Sequence, residues 1–262
     1  MNDNDSRKQY WNETYVEYWR ERVAEAGVGD SELVSGDART SSDDVLTRLI
    51  NDTKFLDGNI LDVGCGWGRF FQLYIDEGLT VSAVDISTAM VQAATEEWGE
   101  QPGIDRIQEA TAEELPFESG MFNNLICIGT YDATYQNKAM NEFLRVTKPG
   151  GQICFSGKNT NYHLDDKAAH AAEVGARSKG HPNYFTRTHD LIADLEKHGH
   201  EVVKSYFFER RGDLSEMNYQ ATMPDYFYEY FLVIKRGHDV GTIDAHYDEY
   251  SEAFEYHSNH KD

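Results

Sequence analysis

The segment Ile60-Leu61-Asp62-Val63-Gly64-Cys65-Gly66-Trp67-Gly68-Arg69-Phe70 runs a short apolar stretch into three glycines at alternating positions. Glycine tolerates positive φ and carries no Cβ to collide with a ligand lying close to the main chain. A strand ending at Val63 and a helix opening near Phe70 would leave free backbone N–H groups at the turn between them. The chemistry on offer is the binding of a nucleotide-like ligand against bare backbone. Asp85 follows Gly64 by 21 residues, the interval at which an acid accepts both hydroxyls of a ribose.

Two details narrow the ligand. The dinucleotide fingerprint is G-x-G-x-x-G, and its glycines admit a pyrophosphate to a helix N-terminus. Here the spacing is G-x-G-x-G, and Asp62 precedes the first glycine by two residues. A carboxylate at that place suits a cationic group better than a diphosphate. A ribose, a positive charge and no phosphate together describe S-adenosylmethionine (SAM). An NAD-dependent oxidoreductase is the competing reading, and it differs in glycine spacing.

These residues need a frame. Short apolar runs at Ile60–Val63, Val81–Val84, Ile104–Gln108, Leu125–Ile128 and Gly151–Phe155 alternate with helical patterns led by Phe70, Met90 and Ala139. Such alternation predicts βαβ units, a parallel sheet and ligand-binding loops along its carboxyl edge. Residues 157–190 interrupt the pattern with a polar insertion, and residues 186–197 then read as a helix. Glu201–Phe208 and Tyr226–Lys235 read as two closing strands, joined by a loop long enough to reach over a pocket. The predicted organisation is an N-terminal helical lid (1–41), a SAM-binding domain (42–237) whose insertion (157–190) covers the acceptor, and an acidic tail (238–262).

Composition limits the partners. The 262 residues carry a net charge of −22, which repels phosphate backbones and anionic lipid. No nucleic acid and no membrane are expected as partners. Apolar runs stay far short of the roughly 20 residues that span a bilayer. Three scattered cysteines, Cys65, Cys127 and Cys154, suit a reducing interior and build neither a disulfide framework nor a metal cluster. The expectation is a cytoplasmic protein acting on a small molecule, with a homodimer as one option.

From Ile60 to Phe155, and more loosely to Gly199, the sequence resembles the class I SAM-dependent methyltransferases, in particular the broad group that includes quinone-biosynthesis enzymes. The resemblance implies a Rossmann-like, doubly wound α/β fold with a seven-stranded sheet, mostly parallel, whose last strand is antiparallel. It places Asp62, Gly64, Cys65, Gly66 and Gly68 around the methionine and adenosine moieties, Asp85 on the ribose and Ile86 against adenine. Thr111-Ala112-Glu113-Glu114-Leu115-Pro116-Phe117 is similar to the family segment that reads G-D-A-x-x-L-P-F. Thr111, Ala112 and Glu113 are therefore expected at the cofactor, with a hydroxyl where the family has a carboxylate, and Ile128 is expected beside them. Arg145-Val146-Thr147-Lys148-Pro149-Gly150-Gly151 resembles the family's R-V-L-K-P-G-G turn into the fifth strand.

Methyl transfer from a sulfonium is an in-line displacement, so the protein aligns the reactants, excludes water and removes a proton from the acceptor. The methyl group should project near the carboxyl end of the fourth strand. Tyr131 and Asp132 are expected to face the acceptor there, although Asp132 equally suits a helix cap. His163 is the leading general base among ten histidines that all lie at or beyond position 163, imidazole being the usual base near neutral pH. Tyr15 and Trp19 in the N-terminal lid, His181 in the insertion and Arg211 in the late loop complete the expected acceptor contacts. No metal is expected. The expected reaction is methylation of an O or N atom on a small polar metabolite, such as a sugar or a natural-product intermediate, releasing S-adenosylhomocysteine (SAH). The alternatives are ring-carbon methylation of a quinone and a non-catalytic SAM- or SAH-binding partner subunit.

Overall fold

A computed structural model of the chain describes residues 3–14, 40–178, 180, 183–238 and 241–251. Its centre is a seven-stranded sheet made of β1 (Asn59–Val63), β2 (Thr80–Asp85), β3 (Ile104–Glu109), β4 (Phe122–Cys127), β5 (Thr147–Lys158), β7 (Glu201–Phe208) and β8 (Glu229–Lys235). The strand order is β3-β2-β1-β4-β5-β8-β7. The first five strands pair in parallel, while β8 runs antiparallel to both of its neighbours. The expected doubly wound α/β sheet with an antiparallel last strand is therefore present, and that strand lies inside the sheet with β7 at the edge.

Side-chain alternation explains the two-sided cover. Leu61, Val63, Leu125, Cys127 and Phe155 point to one face, where α5 (Gln136–Val146) and α7 (Thr188–Lys197) pack through Met140, Phe143, Leu191 and Leu195. Ile60, Val81, Ala83 and Ile126 point to the other, against α2 (Thr40–Thr53), α3 (Phe71–Asp76) and α4 (Thr88–Trp98) through Leu49, Ile50, Phe71, Tyr74 and Ala94. Chain order reverses at β1, which pairs in parallel with both β2 and β4. Ligands of open α/β sheets bind outside the strand ends at such a switch point.

Two motifs quoted from the sequence meet in space. The Arg145 guanidinium donates to the carbonyls of Phe117 (2.6 Å) and Leu115 (2.9 Å), and Glu142 accepts from the Leu115 N–H at 2.7 Å. The Leu-Pro-Phe turn is thus fastened to the end of α5, and its role is structural.

Three features differ from expectation. β5 is longer than predicted, because antiparallel pairing with β8 continues to Lys158 opposite Glu229. The loop between β7 and β8 folds back on β7 instead of arching over a pocket: Phe207 and Gln220 exchange backbone hydrogen bonds at 2.8 and 2.9 Å, and a short helix, α8 (Asp213–Glu216), occupies it. The described part of the tail is docked. Its β9 (Tyr247–Asp248) pairs antiparallel with β6 (Phe185–Thr186), Ile243 is fully buried, and His246 reaches Asp194 of α7 at 3.0 Å. The N-terminal helix α1 (Asp3–Gln9) and the turn Tyr10–Thr14 lie at the sheet's carboxyl edge.

Candidate active site

The turn after β1 is shaped by what its glycines permit. Gly64 has φ 75°, and a Cβ there would stand 2.3 Å from the Thr130 hydroxyl oxygen, so no other residue fits without moving the loop after β4. Gly66 has φ 55° and nothing within 4 Å of the place a Cβ would take. That open space belongs to a crevice enclosing about 880 Å³ including its mouth. Gly64, Cys65 and Gly66 form one wall. Asp85, Ile86, Thr111, Ala112, Glu113 and Ile128 continue it, as do Gly129 and Thr130 beyond β4. Nine of the eleven residues expected at the cofactor share this lining.

Asp62 and Gly68 do not line it. Asp62 is buried behind the loop, where Tyr74 donates its hydroxyl at 3.3 Å. Burial raises its carboxyl to about 7, only partly countered by Tyr74 and Arg69. Gly68 makes room for Phe71 and Trp98, whose side-chain atoms come within 3 Å of its absent Cβ. Both hold the loop from behind.

Asp85 is fixed by the main chain around it. One carboxylate oxygen accepts from the Gly66 N–H at 2.9 Å and the other from the Ser87 N–H at 2.8 Å. Burial raises this carboxyl, and those two N–H groups hold it back. Each oxygen keeps a second lone pair for a ligand. Ser87 in turn caps α4, accepting from the Met90 N–H at 3.3 Å.

The residues expected near the acceptor separate. Tyr131 is placed in the core: its ring packs 5.0 Å from Phe155, and its hydroxyl donates to the Gln136 carbonyl at 3.2 Å. The turn Tyr131–Ala133 directs the ring into the core cluster between the sheet and α5. Asp132 forms an ion pair with Lys158 at 3.2 Å and caps no helix in the structure. Lys158 also reaches Glu173 of α6 (Lys167–Ser178) at 3.3 Å and Asn183 at 3.2 Å, while Tyr228 donates to Glu173 at 2.6 Å. Burial would lower the Lys158 ammonium, but Tyr228, Asp132, Glu173 and Glu229 push it well above the usual lysine range. Arg211 donates to the Tyr228 hydroxyl at 3.4 Å, and its own N–H to Asp166 at 2.8 Å. His163 pairs with Glu209 at 3.4 Å and lies against the Tyr226 ring. Tyr15, Trp19 and His181 lie outside the described residues.

Sequence reasoning missed part of the lining. Trp67 and Arg69 line the crevice, and their position inside the glycine loop was signal enough to name them. Trp11 lines it too. Arg7 also lines it, and nothing in its neighbourhood of the sequence marks it.

Residues 61–155 match the family described as "Methyltransferase domain". Over that stretch the chain is similar to methyltransferase domains. Among curated relatives, the demethylmenaquinone methyltransferase of Renibacterium salmoninarum is 40% identical over 96 residues, 36% of this chain and 38% of that protein. The malonyl-[acyl-carrier protein] O-methyltransferase of Pectobacterium atrosepticum is 33% identical over 100 residues, 37% of each chain. These matches span less than two fifths of either relative. Among solved structures, the magnesium protoporphyrin IX methyltransferase of Synechocystis, crystallised with SAH, superposes with a TM-score of 0.60 at 18% identity. That likeness covers 90% of this chain and all of the other, and it concerns the fold. The crevice lies at the switch point between β1 and β4, and most of its lining falls within the matched stretch.

Proposed function

We propose that this chain is a SAM-dependent methyltransferase acting on an O or N atom of a small polar acceptor. One observation carries the cofactor reading: a carboxylate, Asp85, is locked by the Gly66 and Ser87 N–H groups beside a glycine whose missing Cβ opens the crevice. The donor set fits an adenosine ligand. Asp85 would take the ribose hydroxyls, Ile86 and Ala112 would flank adenine, and the Thr111 hydroxyl would meet its amino group. Gly64, Cys65 and Gly66 would leave room for the amino-acid end. When bound, SAM supplies a methyl group activated on a sulfonium. The crevice walls would shield that group from water, and Asp62 supports the glycine loop from behind through Tyr74.

The acceptor reading rests on the polar cap beyond β4 and β5. The Gly129 N–H donates to the Ser156 hydroxyl at 2.9 Å, which ties the two strand ends together, and Asp132 and Lys158 follow directly. Lys158, Glu173 and Tyr228 form a polar, charged cluster there, and we take that polarity to favour a hydroxyl or amine acceptor over an apolar ring. Asp132 and His163 are the groups proposed to face that acceptor and receive its proton, while Tyr131 anchors the loop after β4 through Phe155 and the Gln136 carbonyl. Ring-carbon methylation of a quinol is the second reading, favoured by the 40% identity to a demethylmenaquinone methyltransferase. The matched stretch lies in the cofactor-side half, which an O-methyltransferase shares to a similar extent.

The test is transfer of isotope-labelled methyl from SAM to pooled polar metabolites and to quinols in parallel. Label in hydroxyl- or amine-bearing products supports the reading. Label confined to quinols replaces it with the second, and SAH binding without any transfer would leave a non-catalytic binder.

A further inference from the structure

We propose that Arg7 is a positioning residue that clasps the cofactor crevice, so that the N-terminal helix closes over bound ligand and opens to release it. This inference rests on the reading of the crevice as a SAM site and adds how that site is shut. The seven residues of α1, Asp-Asn-Asp-Ser-Arg-Lys-Gln, include no apolar side chain. A helix so short is marginal alone, and with no apolar face it cannot dock by hydrophobic burial. Arg7 nevertheless is only 6% exposed.

Its guanidinium joins the two walls of the crevice. One nitrogen pairs with Glu113 at 2.8 Å, on the segment that follows β3. The other donates to the Ala133 carbonyl at 2.9 Å, on the loop that follows β4. Glu113 also accepts from the Tyr135 N–H at 2.8 Å, and the guanidinium lies over the Tyr135 ring, 5.1 Å from its centroid. Further along, the Asn12 side-chain oxygen accepts from the Ser87 hydroxyl at 2.9 Å and from the Ala89 N–H at 3.3 Å. Lys8 pairs with Glu109. These links end on the close of β3, on loops and on helix starts at the sheet's carboxyl edge.

The planar fork of arginine makes the ion pair to Glu113 and the hydrogen bond to Ala133 together only when the two loops stand at the right separation. A ligand that fills the crevice and holds Thr111–Glu113 against Gly129–Ala133 keeps that separation. Closure and binding then favour one another by the same factor. Trp11, brought to the rim by the same segment, lines the crevice.

The experiment measures SAH release by stopped-flow tryptophan fluorescence, with thermal unfolding of the ligand-free protein alongside. For R7A, loss of charged hydrogen bonds should speed release by roughly tenfold or more, while the ligand-free melting temperature moves by less than about 3 °C. R7K keeps the charge without the fork and should fall between R7A and the wild type. The charge exchange R7E/E113R should recover part of the loss relative to R7E alone. Unchanged release in R7A, with SAH still bound by the wild type, overturns the clasp and leaves the cofactor reading intact. A wild type that does not bind SAH overturns both. A large fall in the ligand-free melting temperature with no added speed of release makes Arg7 merely structural and also overturns the clasp.

Discussion

The glycine-lined crevice and the proposed acceptor side of the sheet's carboxyl edge are built by different means. On the cofactor side, geometry comes from backbone: Gly64 and Gly66 at positive φ, and an Asp85 carboxylate held by two N–H groups. Each partner lies within about one βα unit of the next. On the proposed acceptor side, the loop after β4, α6 and the residues before β6 converge on the half-buried Lys158 ammonium at the end of β5, and Tyr228, just before β8, joins through Glu173. Lys158 meets Asp132, Glu173 and Asn183, and Tyr228 closes the ring through Glu173. Local geometry resists substitution one residue at a time, whereas a convergent ion network fails as a unit when its hub is removed.

Breaking the hub tests that contrast most severely. Lys158→Met strands Glu173, which is fully buried, and Asp132, so it should cost about 3–5 kcal/mol in denaturant unfolding. A cost below about 1 kcal/mol would show that the cap tolerates an unpaired charge and the contrast fails. Asp62 gives the next largest effect. Its carboxyl is raised to about 7 from an ordinary value of 3.8, so between those values the folded state binds more protons than the unfolded chain. Stability should therefore fall as pH rises from 4 to 7, by up to about 4 kcal/mol in all. Asp62→Asn should flatten that slope and leave the protein more stable than wild type at pH 8, which thermal melts across pH will show.

The two loop glycines sharpen the comparison within the cofactor side. Gly64→Ala combines left-handed backbone with a collision against Thr130, at a cost of about 3 kcal/mol. Gly66→Ala meets no protein atom, so it should cost only about 1–2 kcal/mol of stability while lowering SAH affinity. Paired melting and calorimetry would separate the two, and equal effects on both readouts would contradict the placement of the ligand. Asp85→Ala should weaken SAH binding by about 1.5–3 kcal/mol through lost charged hydrogen bonds. The smallest effect belongs to the docked tail. Desolvation raises the Asp194 carboxyl, but the Asp244 N–H and His246 outweigh it and lower it overall. Asp194→Ala should cost about 1 kcal/mol and speed hydrogen exchange in residues 241–251 with no change in SAH affinity.

Legibility followed the same divide. The glycine loop, Asp85 and the Thr111–Glu113 segment could be read because a strand, a turn and a helix start impose residue types at fixed short spacing. Asp132 could be named as polar and close to the site, yet its partner Lys158 could not, because 26 residues and a strand crossing separate them. Tyr131 was expected at the acceptor and packs against Phe155 instead. Residue type cannot tell which way a ring turns at the end of a strand when both sheet faces are covered. The tail read as a solvated acidic run, since isolated residues such as Ile243 and Tyr247 give no periodicity.

By itself, then, the order of residues determined the alternation of strands and helices, the bare-backbone turn and the acid that faces it, because those depend on contacts between near neighbours. Tertiary structure alone decided that Lys158 would gather three chain segments, that Arg7 would bridge Glu113 and the Ala133 carbonyl across 126 residues, and that the tail would fold back onto α7. A buried charge finds its partner through the path of the whole chain, and no short window of sequence records that path.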